Sequence, residues 1–107
     1  MSIAEKFSLN GKVAIVTGGL GILGRQFCKG LVDSGARVAI VDLAPREEVS
    51  SNIFSDTCQY FQCDITKKES VVKCIGEIMA MFSKIDILVN NAATKTSDVP
   101  AFFASFE

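Results

Sequence analysis

At 107 residues, 49% hydrophobic and 21% charged, the chain suits one small globular domain and excludes a disordered segment. Its net charge of −1 comes without a basic block, which argues against nucleic acid or an anionic membrane surface as a partner. No run approaches the ~18 apolar residues of a membrane helix, and the opening MSIAEKFSLNGK lacks a signal-peptide core, so no membrane association and a cytoplasmic location are expected.

In chain order, Asn10-Gly11 signals a turn, and Val13 to Thr17 reads as a strand buried on both faces. A glycine-rich stretch follows, with Gly18, Gly21 and Gly24 at three-residue spacing and Gly19 beside the first. A helix is predicted from about Gly21 to Ser34, with Leu23, Phe27 and Leu31 on its apolar face beside Cys28 and Val32. Gly35 is a left-handed stop for it. Arg37 to Val41 is a second strand, ending at Asp42. Pro45 followed by Arg-Glu-Glu predicts a short helix start. Gln59 to Cys63 is a third strand. Thr66 to Glu69 has a capping-box pattern, and the helix after it carries Val71, Ile75, Ile78 and Phe82 as a stripe widened by Val72 and Met79. Ile85 to Asn90 is a fourth strand. Pro100, Phe102, Phe103 and Phe106 read as a loop leading onward. Alternating strands and helices predict an α/β fold, a Rossmann-like parallel sheet with helices on both faces and strand order 3-2-1-4, incomplete beyond the fourth strand.

The candidate chemistry gathers at the carboxyl edge of that sheet. A strand, a glycine turn and a helix in that order form a phosphate cradle: glycine permits the sharp turn, close approach of a pyrophosphate, and tight helix packing. The candidate cradle comprises Gly18, Leu20, Gly21, Ile22, Leu23 and Gly24. No Gly-Lys-Ser/Thr follows, so an ATPase-type loop is excluded. Asp42 closes the second strand, where an acid accepts from adenosine ribose hydroxyls and repels a 2′-phosphate, favouring NAD over NADP. Asp64 ends the third strand, where a carboxylate can accept from an adenine amino group. Asn90 and Asn91 end the fourth, and two such amides need partners if buried. The four cysteines, Cys28, Cys58, Cys63 and Cys74, form no CxxC pair and there is no histidine, so buried reduced thiols and no metal site are expected.

Taken together, Gly18/Gly21/Gly24, Asp42, Asp64-Ile65 and Asn90-Asn91-Ala92 resemble the N-terminal half of a short-chain dehydrogenase/reductase over about Ser8 to Ala93. The resemblance implies that the glycine turn holds a pyrophosphate, Asp42 the ribose, and Asp64 and Ile65 the adenine. Asn90, Asn91 and Ala92 would support the sheet and line the nicotinamide side. It further implies NAD-dependent hydride transfer with a small alcohol or carbonyl substrate, in a homo-oligomer. The compact branch of the family usually has its middle glycine at position 22, where this chain has Ile22. The spacing found here is similar to the extended branch of sugar-nucleotide epimerases and dehydratases, while Asp64 and Asn-Asn-Ala are similar to the compact branch. Ala93 stands where glycine is usual. The family's catalytic Tyr, its Lys four residues on, and their Ser and Asn helpers belong to a second half. The single tyrosine, Tyr60, is followed four residues later by Asp64 and reads as packing. Residues 1–107 are therefore expected to form one incomplete NAD(P)-binding domain with cofactor-binding residues and no catalytic ones. A non-catalytic nucleotide-binding module is the alternative from another class.

Overall fold

The computed structural model describes residues 8–51 and 54–92. Ala93, Pro100, Phe102, Phe103 and Phe106 lie outside the described residues. Four strands, β1 (Val13–Thr17), β2 (Arg37–Asp42), β3 (Cys58–Gln62) and β4 (Ile87–Asn90), make a parallel sheet in the order β3-β2-β1-β4. Helix α1 (Ile22–Asp33) joins β1 to β2, and helix α2 (Lys68–Phe82) joins β3 to β4.

Strand periodicity sorts the side chains between two layers. Val16, Val38, Ile40, Cys58 and Tyr60 point to the α1 face and pack with Cys28, Leu31 and Val32. Val13, Ile15, Ala39, Val41, Phe61 and Cys63 point to the other face and pack with Cys74, Ile78 and Phe82 of α2. The crossing from β3 back to β4 places α2 opposite α1, as a right-handed connection requires. Arg37 ties the end of α2 to the sheet: its guanidinium donates to Phe82 O at 2.9 Å and lies 4.9 Å over the Phe82 ring. That puts a cation at the negative end of the helix.

The helix faces differ from the sequence pattern in a consistent way. On α1 the inward positions are Gly24 and Cys28, whereas Leu23 and Phe27 are exposed. The apolar stripe is turned because α1 approaches β1 through a glycine, not through a large side chain. On α2 the buried set is Cys74, Ile78 and Phe82, and Val72, Ile75 and Met79 are exposed. The segment after Pro45 is a single 3-10 turn over Arg46–Glu48 rather than an α-helix. Strand β3 begins one residue earlier than expected and β4 two residues later, since Asp86 is engaged at the sheet's opposite end, accepting from Val13 N at 2.9 Å.

The capping box also fails. The N-cap of α2 is Lys67, with no side-chain cap. The Thr66 hydroxyl turns back to Asp64 Oδ1 at 2.6 Å, so Asp64 takes the bond that would have capped the helix.

Glycine has opposite costs at two places in α1. A Cβ at Gly24 would stand 2.2 Å from Gly18 O and 2.8 Å from Gly19 Cα, both backbone atoms. At Gly30 it would meet nothing within 4 Å. Urea unfolding is expected to show Gly24→Ala destabilised by about 1–3 kcal/mol and Gly30→Ala stabilised by about 0.5–1 kcal/mol. Equal effects at both positions would refute this account of how α1 packs.

Candidate functional site

The parallel register aligns Asn90 and Val41 on either side of Thr17 and places Gln62 beside Asp42, so the strand ends share one edge. The chain leaves β1 at Thr17 and turns through Gly18 in the left-handed region, φ 67°. An added Cβ on Gly18 would stand 2.9 Å from Ala92 Cα, and on Gly19 2.6 Å from Ile40 Cγ2. Together with Gly24, these glycines are required by the protein's own packing. Gly21 is not: a Cβ there would meet only Gly18 O, at an ordinary 3.5 Å.

Gly21 is the N-cap of α1 and has no side chain with which to cap it. The first turn carries no acid. Among the described residues no backbone carbonyl takes the N–H groups of Ile22, Leu23 or Gly24. Three donors therefore remain open at the positive end of a twelve-residue helix. Ile22 and Leu23 themselves are exposed, at 89% and 58%.

Two side chains fasten this turn. Thr17 Oγ1 accepts from the backbone N–H of Asn91 and of Ala92, each at 3.0 Å. It donates toward Asn90 Oδ1 at 3.3 Å. A hydroxyl has one proton and two lone pairs, so Thr17 is fully satisfied and holds β4's exit against β1. Asn91 completes the contact by donating from Nδ2 to Gly18 O at 3.2 Å. The second fastener is Asp42. Its Oδ2 accepts from Leu20 N at 3.0 Å, and its Oδ1 accepts from Leu43 N at 2.8 Å.

Gly18, Asp42, Asp64, Ile65 and Ala92 line one cleft of about 110 Å³, with Val41, Leu43, Cys63 and Thr66. Asn90 instead lines an apolar groove of about 330 Å³ on the α2 face, beside Thr17, Leu88 and Ile75. The cradle residues Leu20, Gly21, Ile22, Leu23 and Gly24 stand outside this cleft, on the adjoining turn and the start of α1. Asp64 is held in place from both directions. Its Oδ1 accepts from Thr66 N and Oγ1, and its own N–H donates to Ser70 Oγ at 2.9 Å. The Thr66 hydroxyl and amide hold the Asp64 carboxyl below its ordinary 3.8.

The cysteines and Tyr60 lie in the core. All four cysteines are free and buried. Burial, with Cys58 nearby, pushes the Cys28 thiol up to about 12. Burial and the neighbouring Cys63 push Cys74 up to about 12 as well. Such thiols are poor nucleophiles. Tyr60 is 3% exposed and donates its hydroxyl to Ala44 O at 2.5 Å. Burial first, then the Asp42 charge, pushes its pKa up to about 12. It ties down the β2–β3 connection and offers no accessible acid. Thr17 is the residue that sequence reading passed over as a strand end. A hydroxyl closing an otherwise apolar strand was the available signal.

Thr17→Val leaves the Asn91 and Ala92 N–H groups without their acceptor, and a loss of about 1–3 kcal/mol in unfolding free energy is expected. A variant as stable as the parent would show that water replaces the hydroxyl. The lowered Asp64 pKa fixes a second expectation. The stability it contributes is fully present above the unfolded value near 3.8 and is lost as pH falls through the lower folded value. Asp64→Asn should accordingly flatten the acid limb of a urea-midpoint profile taken from neutral pH downward. An acid limb as steep as the parent's would count against it.

Comparison with known proteins gives one consistent set of relatives. A family model described as short chain dehydrogenase matches residues 12–105. The chain is 39% identical over 95 residues to 2-dehydro-3-deoxy-D-gluconate 5-dehydrogenase of Pseudoalteromonas atlantica, covering 84% of this chain and 37% of that protein. It is 34% identical over 101 residues to NAD-dependent glycerol dehydrogenase of Listeria innocua, covering 90% and 40%. Among solved structures, a short chain dehydrogenase from Bacillus anthracis superposes with a TM-score of 0.67 at 31% identity, covering 78% of this chain and 36% of that one. The chain thus spans well under half the length of the relatives it matches.

Proposed function

Because this chain belongs to the short-chain dehydrogenase family, we propose that it is the dinucleotide-binding part of an oxidoreductase acting on a small alcohol or carbonyl compound. Gly21 carries the reading. Three of the four glycines in the turn answer to internal packing, but Gly21 faces no such demand and leaves three helix N–H groups open. A bare backbone at the positive end of a helix suits an approaching pyrophosphate.

The residues present fit a nicotinamide dinucleotide. Gly18, Leu20, Gly21, Ile22, Leu23 and Gly24 would hold the pyrophosphate, and Asp42 the adenosine ribose. Asp64 and Ile65 would flank the adenine, with Asn90, Asn91 and Ala92 toward the nicotinamide. When bound, the cofactor supplies a hydride or accepts one. The chain's own part is to bind and orient: the helix donors neutralise phosphate charge, and Asp42 offers acceptors to ribose hydroxyls. NAD is preferred to NADP in this reading because a 2′-phosphate beside the Asp42 carboxylate would bring like charges together. In this reading residues 1–107 form a single, incomplete Rossmann-type unit of a cytoplasmic enzyme. Proton transfer is assigned to none of the residues described.

The protein is expected to bind NADH more tightly than NADPH by about tenfold or more. Asp42→Ala should narrow that ratio while far-ultraviolet circular dichroism stays unchanged. Calorimetric titration with both nucleotides measures it, and a preference for NADPH would sink the role given to Asp42.

A further inference from the structure

We infer that Asp42 is also the positioning residue of the glycine turn, linking the proposed ribose position to the proposed pyrophosphate position. The bonds that fix the turn differ in kind. Gly18 N and Gly19 N donate to Val41 O at 2.8 and 3.4 Å, and Gly21 N donates to Gly18 O at 3.2 Å. These are backbone contacts that no substitution at position 42 removes. Leu20 N alone among the turn's donors is held by a side chain, Asp42 Oδ2, across 22 residues of sequence. Leu20 directly precedes Gly21, whose conformation (φ −72°, ψ 171°) starts α1 and aims its open N–H groups.

The carboxylate has capacity for both tasks. It is half-buried at the end of β2, and the Leu43 N–H on Oδ1 fixes its rotation. Two oxygens offer about four acceptor positions, of which the backbone uses two. Two remain for a pair of vicinal hydroxyls. Asp42 therefore sets where the phosphate donors point before any ribose arrives, and removing it weakens binding even of a ligand with no hydroxyl to lose. Asp42→Asn keeps a single acceptor oxygen, so it holds Leu20 N only with its amide nitrogen facing the Leu43 N–H, and the turn is retained in part.

The binding part of this inference rests on the dinucleotide reading proposed above, and the test separates the two. The protein, Asp42→Ala, Asp42→Ser and Asp42→Asn are titrated with NAD and with its analogue lacking both adenosine ribose hydroxyls. Amide exchange at Leu20 is followed by NMR without nucleotide. Asp42→Ala and Asp42→Ser should each weaken the analogue and speed Leu20 exchange by about tenfold, and Asp42→Asn, with one acceptor oxygen left for Leu20 N, should fall between them and the parent in both. Exchange at Ile15 and Ile40, inside the sheet, should be unchanged throughout. If the truncations bind the analogue as the parent does and Leu20 exchange does not move, Asp42 acts on hydroxyls alone and the inference is overturned. If the parent binds neither nucleotide, the functional reading fails, and Leu20 exchange still decides the positioning role. Should Asp42→Ala not fold, Asp42→Ser against Asp42→Asn carries the same comparison.

Discussion

Helix α1 can meet strand β1 only because nothing stands between Gly24 and the carbonyl of Gly18. A single methyl at Gly24 would come within 2.2 Å of that oxygen. Much else follows from this approach. It puts Cys28 rather than Phe27 against the sheet, since the face opposite a close backbone contact must be small. It also folds residues 18–21 into a tight turn, so that Gly18 adopts φ 67° and Gly19 lies against Ile40.

The turn is then anchored to strands on both sides of β1. Toward β2 it is held by the Val41 carbonyl and the Asp42 carboxylate. Toward β4 it is held by Asn91, while Thr17 gathers the N–H groups of Asn91 and Ala92. Parallel strands make this possible, because their carboxyl ends meet at one edge and backbone donors leaving one strand find acceptors at the next. The N–H groups of Gly18, Gly19, Leu20, Gly21, Asn91 and Ala92 are accordingly matched within the protein, unlike the three donors that open α1. The contrast between a fully braced turn and an unbraced helix start gives the edge its chemical character.

The sheet's outer strand differs from its centre. Val13, Ala14 and Val16 of β1 are wholly buried, whereas Leu88 of β4 is 63% exposed. Among the described residues β4 pairs with β1 alone. Leu88 with Ile75 and Ile65 lines the apolar groove on the α2 face.

Strand positions, strand order and the carboxyl-edge cluster were legible in the amino-acid sequence. Buried parallel strands are continuous apolar runs, and glycine spacing reports a steric demand made by neighbouring backbone; both are local signals. The α/β class and the order β3-β2-β1-β4 rest on them, while membership of the short-chain dehydrogenase family rests on the match over residues 12–105, toward which Gly18/Gly21/Gly24, Asp42, Asp64-Ile65 and Asn90-Asn91-Ala92 jointly point. Helix faces were not legible to the same degree. Val72, Met79, Leu23 and Phe27 satisfy a helical period as well as the residues that are buried, and the choice depends on how near the sheet lies. Nor did local pattern reveal that Thr66 would bond Asp64 instead of capping α2, that Thr17 would serve two strands, or that Asp42 would hold Leu20. The Thr17 and Asp42 bonds join residues that only the folded sheet brings together, because a hydrogen-bond partner is selected by distance in space, and sequence separation does not encode it; the Asp64–Thr66 bond is local and competes with the cap for the same hydroxyl.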